Sequence, residues 1–505
     1  MTPYTLGYNR KQHIISYGPS IVPQILRPYT TFSERKKLWT ITLASLVTFL
    51  SPVSANIYFP AMNQLAHDLG VSTAMINLSI TTFMVVQGIA PLFVASLSDT
   101  YGRRPAIIVS LMIYLAVNIG LACQNSFRAL MVLRCLQSLG SSIAAVVAAS
   151  VAVDVVPRAE RGRYMIYSTL GVTLGLALGP IIGGVLTQYF GWRSTFWFLV
   201  VFSGVMIVLL LLFVPETCRM VVGNGSIEAP TWNQPVIEYI RRRSGKTDAE
   251  AEDREENLHM MSAKKRPRPL DSIRLACQKE NFAVICFASL LFCGYTAVLS
   301  TLPSQLEAKY QFNALQIGLC YIPYGLGSLT SRWTVGKLID WNFRRHAERC
   351  GIEVEKNRQV LLIDMPVEKV RLEITFPVLY ACCIFITGYG WLMNFQTHLS
   401  GPLVMLFFVA HLTSGATSTL ITLLVDCNVA TPATATAANN AFRCLLGAGS
   451  VAGAIPLIRV ISIGWTATLI AGIWLLFSPI LWLVFVYGHQ YRKDKLIGKD
   501  PKQGV

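Results

Sequence analysis

Charged side chains are scarce in this chain of 505 residues: they make up 14% of it, whereas soluble domains carry about a quarter. This scarcity excludes an ordinary soluble domain, and hydrophobic residues reach 53%. Apolar runs of about 20 residues recur along the chain, each long enough to cross about 30 Å of hydrocarbon as a helix. Transmembrane strands would instead alternate apolar with polar residues. We therefore predict an all-α membrane protein.

Patterns that support catalysis are also missing from the sequence. We find no paired nucleophile and base, no metal-ligand cluster and no phosphate-binding loop. The 12 cysteines are scattered and form no Cys-x-x-Cys pair. We therefore expect no enzymatic activity, no cofactor and no metal. The net charge of +16 comes without aromatic-interleaved basic motifs, so we expect the lipid bilayer rather than nucleic acid as a partner.

The apolar runs predict twelve transmembrane helices in two pseudo-symmetric six-helix halves. They lie near 38–60, 77–98, 105–124, 128–152, 164–188, 194–215, 281–303, 315–339, 374–395, 401–425, 436–461 and 465–487. Lysine and arginine concentrate in the tails, the central linker and alternate loops, which predicts cytoplasmic termini. The mixed-charge linker should be mostly unfolded or loosely helical. The predicted divisions are an N-terminal tail at 1–37, the first half at 38–217, the linker at 218–280, the second half at 281–488 and a C-terminal tail at 489–505.

A short repeat links the two halves. Residues 97–104 read LSDTYGRR at the end of the second predicted span, and residues 338–345 read LIDWNFRR at the end of the eighth. Leu, Asp, Arg and Arg recur at the same positions. Internal repeats of this scale are typical of secondary transporters.

The first copy of the repeat places a carboxylate, that of Asp99, at a helix C-terminus, where the helix dipole disfavours it. This carboxylate needs a partner, either the nearby arginines or the start of a helix from the other half, for which Thr431-Pro432 offers a cap. We therefore predict a cytoplasmic gate between the halves; alternatively, the arginines only mark the cytoplasmic side. The candidate gate residues are Asp99, Gly102, Arg103, Arg104, Asp340, Arg344 and Arg345.

The string at 97–104 resembles the cytoplasmic-loop signature of the major facilitator superfamily, with Ala95 and Thr100 in place of two usual residues. Further family marks are ANIYFP at 55–60, GWR at 191–193 and PET at 215–217. With the long loop after the eighth span, they are similar to fungal drug:proton antiporters of the twelve-span group, in particular the quinidine-resistance branch. The resemblance implies a plasma-membrane monomer that exports a small amphipathic molecule (a drug, toxin or metabolite) in exchange for protons.

The fifth predicted span is rich in glycine at steps of four, which lets another backbone come close to one helix face. Its proline removes a backbone hydrogen bond and bends the helix. The string resembles the signature of the antiporter branch of the superfamily, although generic small-residue packing would also place glycines here. The residues concerned are Gly175, Gly179, Pro180, Gly183 and Gly184.

Arg134 lies inside the fourth span, where a charge costs several kcal/mol unless it faces a cavity or a partner. The surrounding string, RCLQSLG, resembles a family pattern, with Ser138 in place of one glycine, and the resemblance implies a role in proton coupling. Alternatively, the side chain reaches the outer surface.

No carboxylate lies near the middle of any predicted span. His411, midway along the tenth span, is the group there whose ordinary pKa is near 6.5, so it could carry the proton or serve as a neutral hydrogen-bonding residue. Polar and aromatic residues within spans suggest an amphipathic substrate cavity between the halves, although each one could instead be an interhelical contact. The candidates are Asn56, Tyr58, Gln87, Asn118, Gln137, Tyr295, Tyr321 and Tyr324.

Two other functions remain open at this stage. A proton-coupled uptake carrier or a facilitator would share the fold and differ in the direction of net flux. A membrane receptor that has lost transport is the more remote alternative. Such proteins often carry long cytoplasmic extensions, whereas the predicted tail and central linker of this chain are short.

Overall fold

The computed structural model describes residues 30–156, 161–225, 227, 229–237, 240, 269–349, 365–428 and 432–497. All regular secondary structure within these residues is helical, which confirms the predicted all-α class. Most of the predicted N-terminal tail, residues 241–268 of the linker and residues 350–364 of the loop after the eighth span lie outside the described residues.

The long helices follow one another along the chain, with a long segment between the sixth and the seventh. They are α1 (Glu34–Asn56), α2 (Thr73–Tyr101), α3 (Arg103–Cys123), α4 (Phe127–Val155), α5 (Arg161–Phe190), α6 (Arg193–Phe213), α7 (Lys279–Tyr310), α8 (Ile322–Arg349), α9 (Val367–Asn394), α10 (Ser400–Cys427) and a last helix, Pro432–Ile497. Ser462 interrupts the last helix with φ 68° and ψ 166°, and we name the parts before and after it α11 and α12. Shorter helices lie at Phe59–Ala61, Met62–Asp68, Arg219–Val222, Thr231–Asn233, Pro269–Ala276 and Ala314–Cys320.

Within the described chain, 10 helices are long and apolar enough to cross a membrane. The last of them, Thr434–Arg492, has 59 residues, far more than one crossing needs, and the break at Ser462 divides it into two. The remaining helix, α8, is less apolar because Arg332 and Lys337 lie within it, yet it packs between α5 and α10 like its neighbours. The predicted twelve-helix architecture is confirmed.

Several helices begin where the sequence supplies a capping side chain. The hydroxyl of Ser33 accepts a hydrogen bond from the backbone of α1, and Ser72 and Ser126 do the same for α2 and α4. Such side chains satisfy backbone N–H groups that the first helical turn leaves without partners. Asn313 and Gln316 form a complete capping box at the start of the short helix before α8.

Helix ends differ from the prediction at several places. The first helix begins at Glu34, inside the predicted tail, and the last continues to Ile497. The eighth span divides into Ala314–Cys320 and α8, and α8 runs ten residues past the predicted end at 339. Hydropathy marks the part of a helix in lipid, whereas the helix itself continues into the polar segments that flank it.

The two halves repeat one packing pattern. In the first half, α1 packs against α4 and α5, and α3 packs against α4 and α6. In the second half, α7 packs against α10 and α11, and α9 packs against α10 and α12. Ser450 Oγ of α11 donates to Cys293 O of α7 at 2.7 Å, for example. The predicted pseudo-symmetry is thus visible in the order of contacts.

The halves meet through α2 against α11 and α5 against α8. On the side that charge predicts to be outer, Asn63 Nδ2 donates to Pro303 O at 3.3 Å. The rings of Phe59 and Tyr321 stack nearby with centroids 6.0 Å apart. These contacts join the first half to the second, so the outer side is closed in this conformation.

One face of α5 packs at backbone distance against α1. A Cβ atom on Gly175 would lie 2.6 Å from Cγ of Pro52, and one on Gly183 would overlap the carbonyl oxygen of Ile57. Real Cβ atoms essentially never come this close to another heavy atom, so glycine is required for the observed packing.

The same helix touches the second half at its outer end. A Cβ atom on Gly184 would lie 2.8 Å from Ala314 O, and one on Gly318 would lie 2.7 Å from Pro180 O. Small residues on both sides therefore let α5 contact both halves. The row that the sequence singled out supplies these contacts with α1 and with the short helix before α8: Gly175, Gly179, Pro180, Gly183 and Gly184.

The close packing of α5 on α1 predicts a specific loss of stability. Gly183→Ala should destabilise the fold by about 1–3 kcal/mol, because the added methyl group must push α1 away. The matched control is Gly453→Ala in α11, where an added Cβ meets nothing within 4 Å. Thermal unfolding of the purified variants measures both changes, and equal midpoints for the two variants would contradict the packing described.

Candidate functional site

Arg134 of α4 lies entirely inside the first half, with none of its surface exposed. Its Nη1 donates to Ser54 O at 3.1 Å and to Gln137 Oε1 at 2.6 Å. Nε and Nη2 are buried and have no hydrogen-bond partner. The side chain does not reach the outer surface, so the alternative that the sequence left open is not what the structure shows.

Two aromatic rings enclose the guanidinium of Arg134. Its Cζ lies 4.5 Å from the ring centroid of Tyr58 and 4.5 Å from that of Phe83. A desolvated cation over an aromatic ring gains about 2 kcal/mol, which offsets part of the cost of removing the charge from water. The hydroxyl of Tyr58 shares a 2.9 Å hydrogen bond with Ser79, which fixes the ring.

A chain of amides and hydroxyls extends from Arg134 across three helices. Gln137 Nε2 donates to Asn118 Oδ1 at 2.7 Å, and Asn118 Nδ2 donates to the backbone oxygen of Tyr114. The hydroxyls of Tyr114 and Ser54 share a 2.6 Å hydrogen bond, which returns the network to α1. Of the predicted cavity residues, the structure therefore brings Tyr58, Asn118 and Gln137 together around Arg134. We call this set, with Phe83, the Arg134 cluster.

A second cation lies where α11 faces α2 and α7. Arg443 Nη2 donates to Asn440 Oδ1 at 2.8 Å, and its Cζ lies 4.7 Å from the ring centroid of Phe292. Its Nε is buried without a hydrogen-bond partner. No carboxylate of the described residues pairs with this guanidinium or with that of Arg134.

Aromatic rings continue from Arg443 toward α8. Phe292 stacks on Tyr295 with centroids 5.4 Å apart, and Tyr295 lies 5.3 Å from Tyr324. The side chain of Tyr324 is 3% exposed and its hydroxyl has no hydrogen-bond partner. We call Arg443, Asn440, Phe292, Tyr295 and Tyr324 the Arg443 cluster.

The Arg443 cluster lies at the interface between the halves. A Cβ atom on Gly447 of α11 would lie 2.8 Å from Met84 and 2.9 Å from Phe292. Met84 follows Phe83 of the Arg134 cluster in α2. The Arg443 cluster therefore lies at the contact between α2 and α11, and α2 also supplies a ring to the Arg134 cluster.

The remaining predicted cavity residues have other surroundings. Gln87 donates to Ser51 Oγ at 3.0 Å, and its backbone oxygen lies 3.5 Å from Asn440 Nδ2. Asn56 donates to the carbonyl one turn earlier in α1, at 2.6 Å. Tyr321 lies at the outer closure, where its hydroxyl donates to Leu299 O at 2.7 Å.

His411 lies between α10 and α8, apart from both clusters. Its Nδ1 is 3.0 Å from Thr330 Oγ1 and its Nε2 is 3.0 Å from Thr334 Oγ1. One threonine therefore serves as donor and the other as acceptor when the imidazole is neutral. The geometry matches the hydrogen-bonding role that the sequence left open beside proton transfer.

Three predicted gate residues, Gly102, Arg103 and Arg104, meet at a buried carboxylate, Glu216, which follows α6 on the side that charge predicts to be cytoplasmic. Its oxygens accept hydrogen bonds from the backbone N–H groups of Arg103 and Arg104, at 2.9 and 3.2 Å, and thereby cap α3. A Cβ atom on Gly102 would collide with this carboxylate, and Gly102 has a φ of 112°. The position therefore requires glycine.

An ion pair joins two helices close to Glu216. Arg103 Nε donates to Asp154 Oδ2 at 2.9 Å, which joins α3 to the end of α4. The second half repeats this pair with Arg371 and Asp426, which join the start of α9 to the end of α10 at 2.9 Å. These pairs each lie within one half, so a gate that joins the two halves stays a prediction.

Other gate candidates lie farther from Glu216. Asp340 and Arg344 are exposed, and Arg345 lies over the ring of Trp341 at 5.5 Å. Asp99 is in the last turn of α2, but its side chain lies outside the described residues.

Sequence reasoning missed several of these residues. Neither Arg443 nor Phe292 is among the predicted site residues. Glu216 belongs to the family mark at 215–217, but its role as the cap of α3 depends on a contact between residues 113 positions apart in the chain.

The position of Glu216 yields a second prediction. Glu216→Ala should lower the free energy of unfolding by at least about 2 kcal/mol, because buried N–H groups lose their acceptors. Glu348→Ala, which removes an exposed carboxylate in α8, is the control and should leave the unfolding midpoint unchanged. If Glu216→Ala unfolded at the wild-type midpoint, the capping role would be wrong.

Several known proteins are similar to this chain in sequence. A model described as Major Facilitator Superfamily matches residues 44–452. The MFS-type transporter R5 of Phoma sp. is 44% identical over 468 residues, which cover 93% of this chain and 88% of that protein. Citrate exporter 1 of Aspergillus niger is 32% identical over 475 residues, which cover 92% and 88%.

A solved structure agrees at the level of the fold. The human organic anion transporter MFSD10 (TETRAN) superposes with a TM-score of 0.54 at 18% identity, covering 89% of this chain and 100% of that one. With twelve helices in two repeated halves and a family match over most of its length, this chain is a multi-pass membrane transporter that belongs to the major facilitator superfamily.

Proposed function

We propose that this transporter exports a small amphipathic organic molecule in exchange for protons by alternating access. Within the superfamily, we place it with the fungal drug:proton antiporters of the twelve-span group. The glycine row of α5 supports this placement, because it resembles the antiporter signature and packs closely against α1 and the short helix before α8. The export direction also draws on the relative from Aspergillus niger, whose name is that of a citrate exporter.

The buried charge of Arg134 is the observation that carries the proposal. A cation without a carboxylate partner inside the membrane is costly, and such residues mark substrate or proton pathways. The chain of amides and hydroxyls from Gln137 to Ser54 surrounds this charge with groups that both donate and accept hydrogen bonds. When the halves rearrange, a substrate or a proton that enters this region changes the free energy of the Arg134 cation.

The substrate site is proposed between the halves, near the middle of the membrane. Aromatic faces and amide groups from α2, α7, α8 and α11 meet there, as an amphipathic ligand requires. The two halves would move as units, since the ion pairs Arg103–Asp154 and Arg371–Asp426 hold each half together at its cytoplasmic end. We place the protein in the plasma membrane as a monomer with both termini cytoplasmic.

A facilitator is the alternative that one observation favours. Every carboxylate of the described helices lies toward a helix end, and His411 is held between two threonines. The proposal therefore has no assigned proton acceptor. A facilitator would need none, because the membrane potential alone drives a charged molecule by about 2.3 kcal/mol per charge and 100 mV.

The proposal is tested by efflux from cells that lack their own exporters, with a broad compound panel. Efflux by the wild type should run against the substrate gradient and stop when a protonophore is added. Arg134→Ala should reduce efflux at least tenfold at equal surface expression, because the interior loses its buried charge.

The matched control is Arg128→Ala, which removes an exposed arginine from the same helix and should keep wild-type efflux. Transport that merely equilibrates the substrate, with or without the protonophore, would support the facilitator. Equal efflux by Arg134→Ala and Arg128→Ala would remove Arg134 from the coupling scheme.

A further inference from the structure

We infer that the Arg443 cluster binds a carboxylate group of the substrate, so that the transported molecule is an organic acid with an apolar body. This inference rests on the proposed transport function and adds to it the class of substrate and the residue that recognises it.

The guanidinium of Arg443 has a hydrogen-bond donor available for a ligand. It makes a 2.8 Å hydrogen bond to the neutral amide of Asn440, and its Nε is buried without a partner. Arginine is always charged and presents five N–H donors in a planar fork that matches a carboxylate. A carboxylate would supply the negative charge that the described residues around Arg443 do not supply.

Tyr324 provides an independent sign of a ligand at the same place. Its side chain is more than nine-tenths buried, and its hydroxyl has no hydrogen-bond partner. A buried hydroxyl without a partner costs about 1–3 kcal/mol, which a ligand acceptor would recover. A row of successive ring contacts, from Phe292 through Tyr295 to Tyr324, connects the cation with the ring that carries the unpartnered hydroxyl.

The chemistry of the cluster selects against other substrate classes. A cationic drug would meet the like charge of Arg443, and like charges repel strongly in a medium of low polarity. A neutral molecule would leave the guanidinium uncompensated. The faces of Phe292 and Tyr295 add a surface for an alkyl or unsaturated chain.

The position of the cluster also connects binding to the movement of the halves. Arg443 and Asn440 lie on α11, and Asn440 Nδ2 is 3.5 Å from the backbone oxygen of Gln87 on α2. A carboxylate bound at Arg443 would therefore lie at the contact between the two halves, where alternating access separates and rejoins helices.

Binding to purified protein in detergent, without any proton gradient, tests this inference. The probes are 2-decylsuccinate, a dicarboxylate with an alkyl chain, and its neutral diamide. Isothermal titration should show that the wild type binds the diacid at least about tenfold more tightly than the diamide. Arg443→Gln should remove this preference, and Arg443→Lys should keep part of it, because lysine retains the charge without the fork.

The control variant is Arg459→Gln, which makes the same chemical change at an exposed position of α11 and should bind like the wild type. Gel filtration verifies that each variant is folded, and Arg443→Lys serves if Arg443→Gln is not. Equal binding of diacid and diamide, binding of neither, or an unchanged preference in both Arg443 variants overturns the inference.

The outcomes separate this inference from the proposed function. Selective diacid binding that needs Arg443, without protonophore-sensitive efflux, would support the carboxylate site and contradict proton exchange. Protonophore-sensitive efflux that stays intact in Arg443→Gln would support proton exchange and contradict the carboxylate site.

Discussion

The cost of placing a charge inside a membrane governs this structure. Arg134 and Arg443 cannot lose their charge, and the described residues offer them no carboxylate. Aromatic rings and neutral amides surround both guanidinium groups instead, and each group keeps at least one N–H without a partner. The interior of the transporter is therefore positive and incompletely compensated, which is the condition in which a ligand or a proton has the largest effect.

The same cost produces a different arrangement of charges at the helix ends that are predicted to be cytoplasmic. There, carboxylates are present and the arginines are paired: Arg103 with Asp154, and Arg371 with Asp426. These pairs lie at equivalent positions of the two halves and hold each half as a unit. The contacts between halves consist mainly of small residues, ring faces and isolated hydrogen bonds, which can separate without leaving charges bare. Alternating access requires two rigid halves whose contacts with each other are weak enough to separate.

Hydropathy and the Lys/Arg bias were sufficient to predict the twelve helices and the two halves, because each span must bury its backbone in lipid. The glycines of α5 were also predicted, because a four-residue spacing places them on one face of the helix. The partners of His411 could not be found, because Thr330 and Thr334 belong to another helix and only packing brings them near. Arg443 is absent from the predicted site for the same reason: its aromatic neighbour Phe292 lies about 150 residues away in the chain. The sequence therefore identifies Arg134 and His411 as polar groups within apolar runs, but only the structure shows which side chains contact them.

An electron cryo-microscopy structure of the wild-type protein with 2-decylsuccinate tests the central claim most directly. The account predicts density for one carboxylate within about 4 Å of the Arg443 guanidinium, with the alkyl chain along the Phe292 and Tyr295 rings. Density for the ligand away from Arg443, or against the apolar walls with both carboxylates in water, would contradict the claim that the uncompensated interior charge selects the substrate.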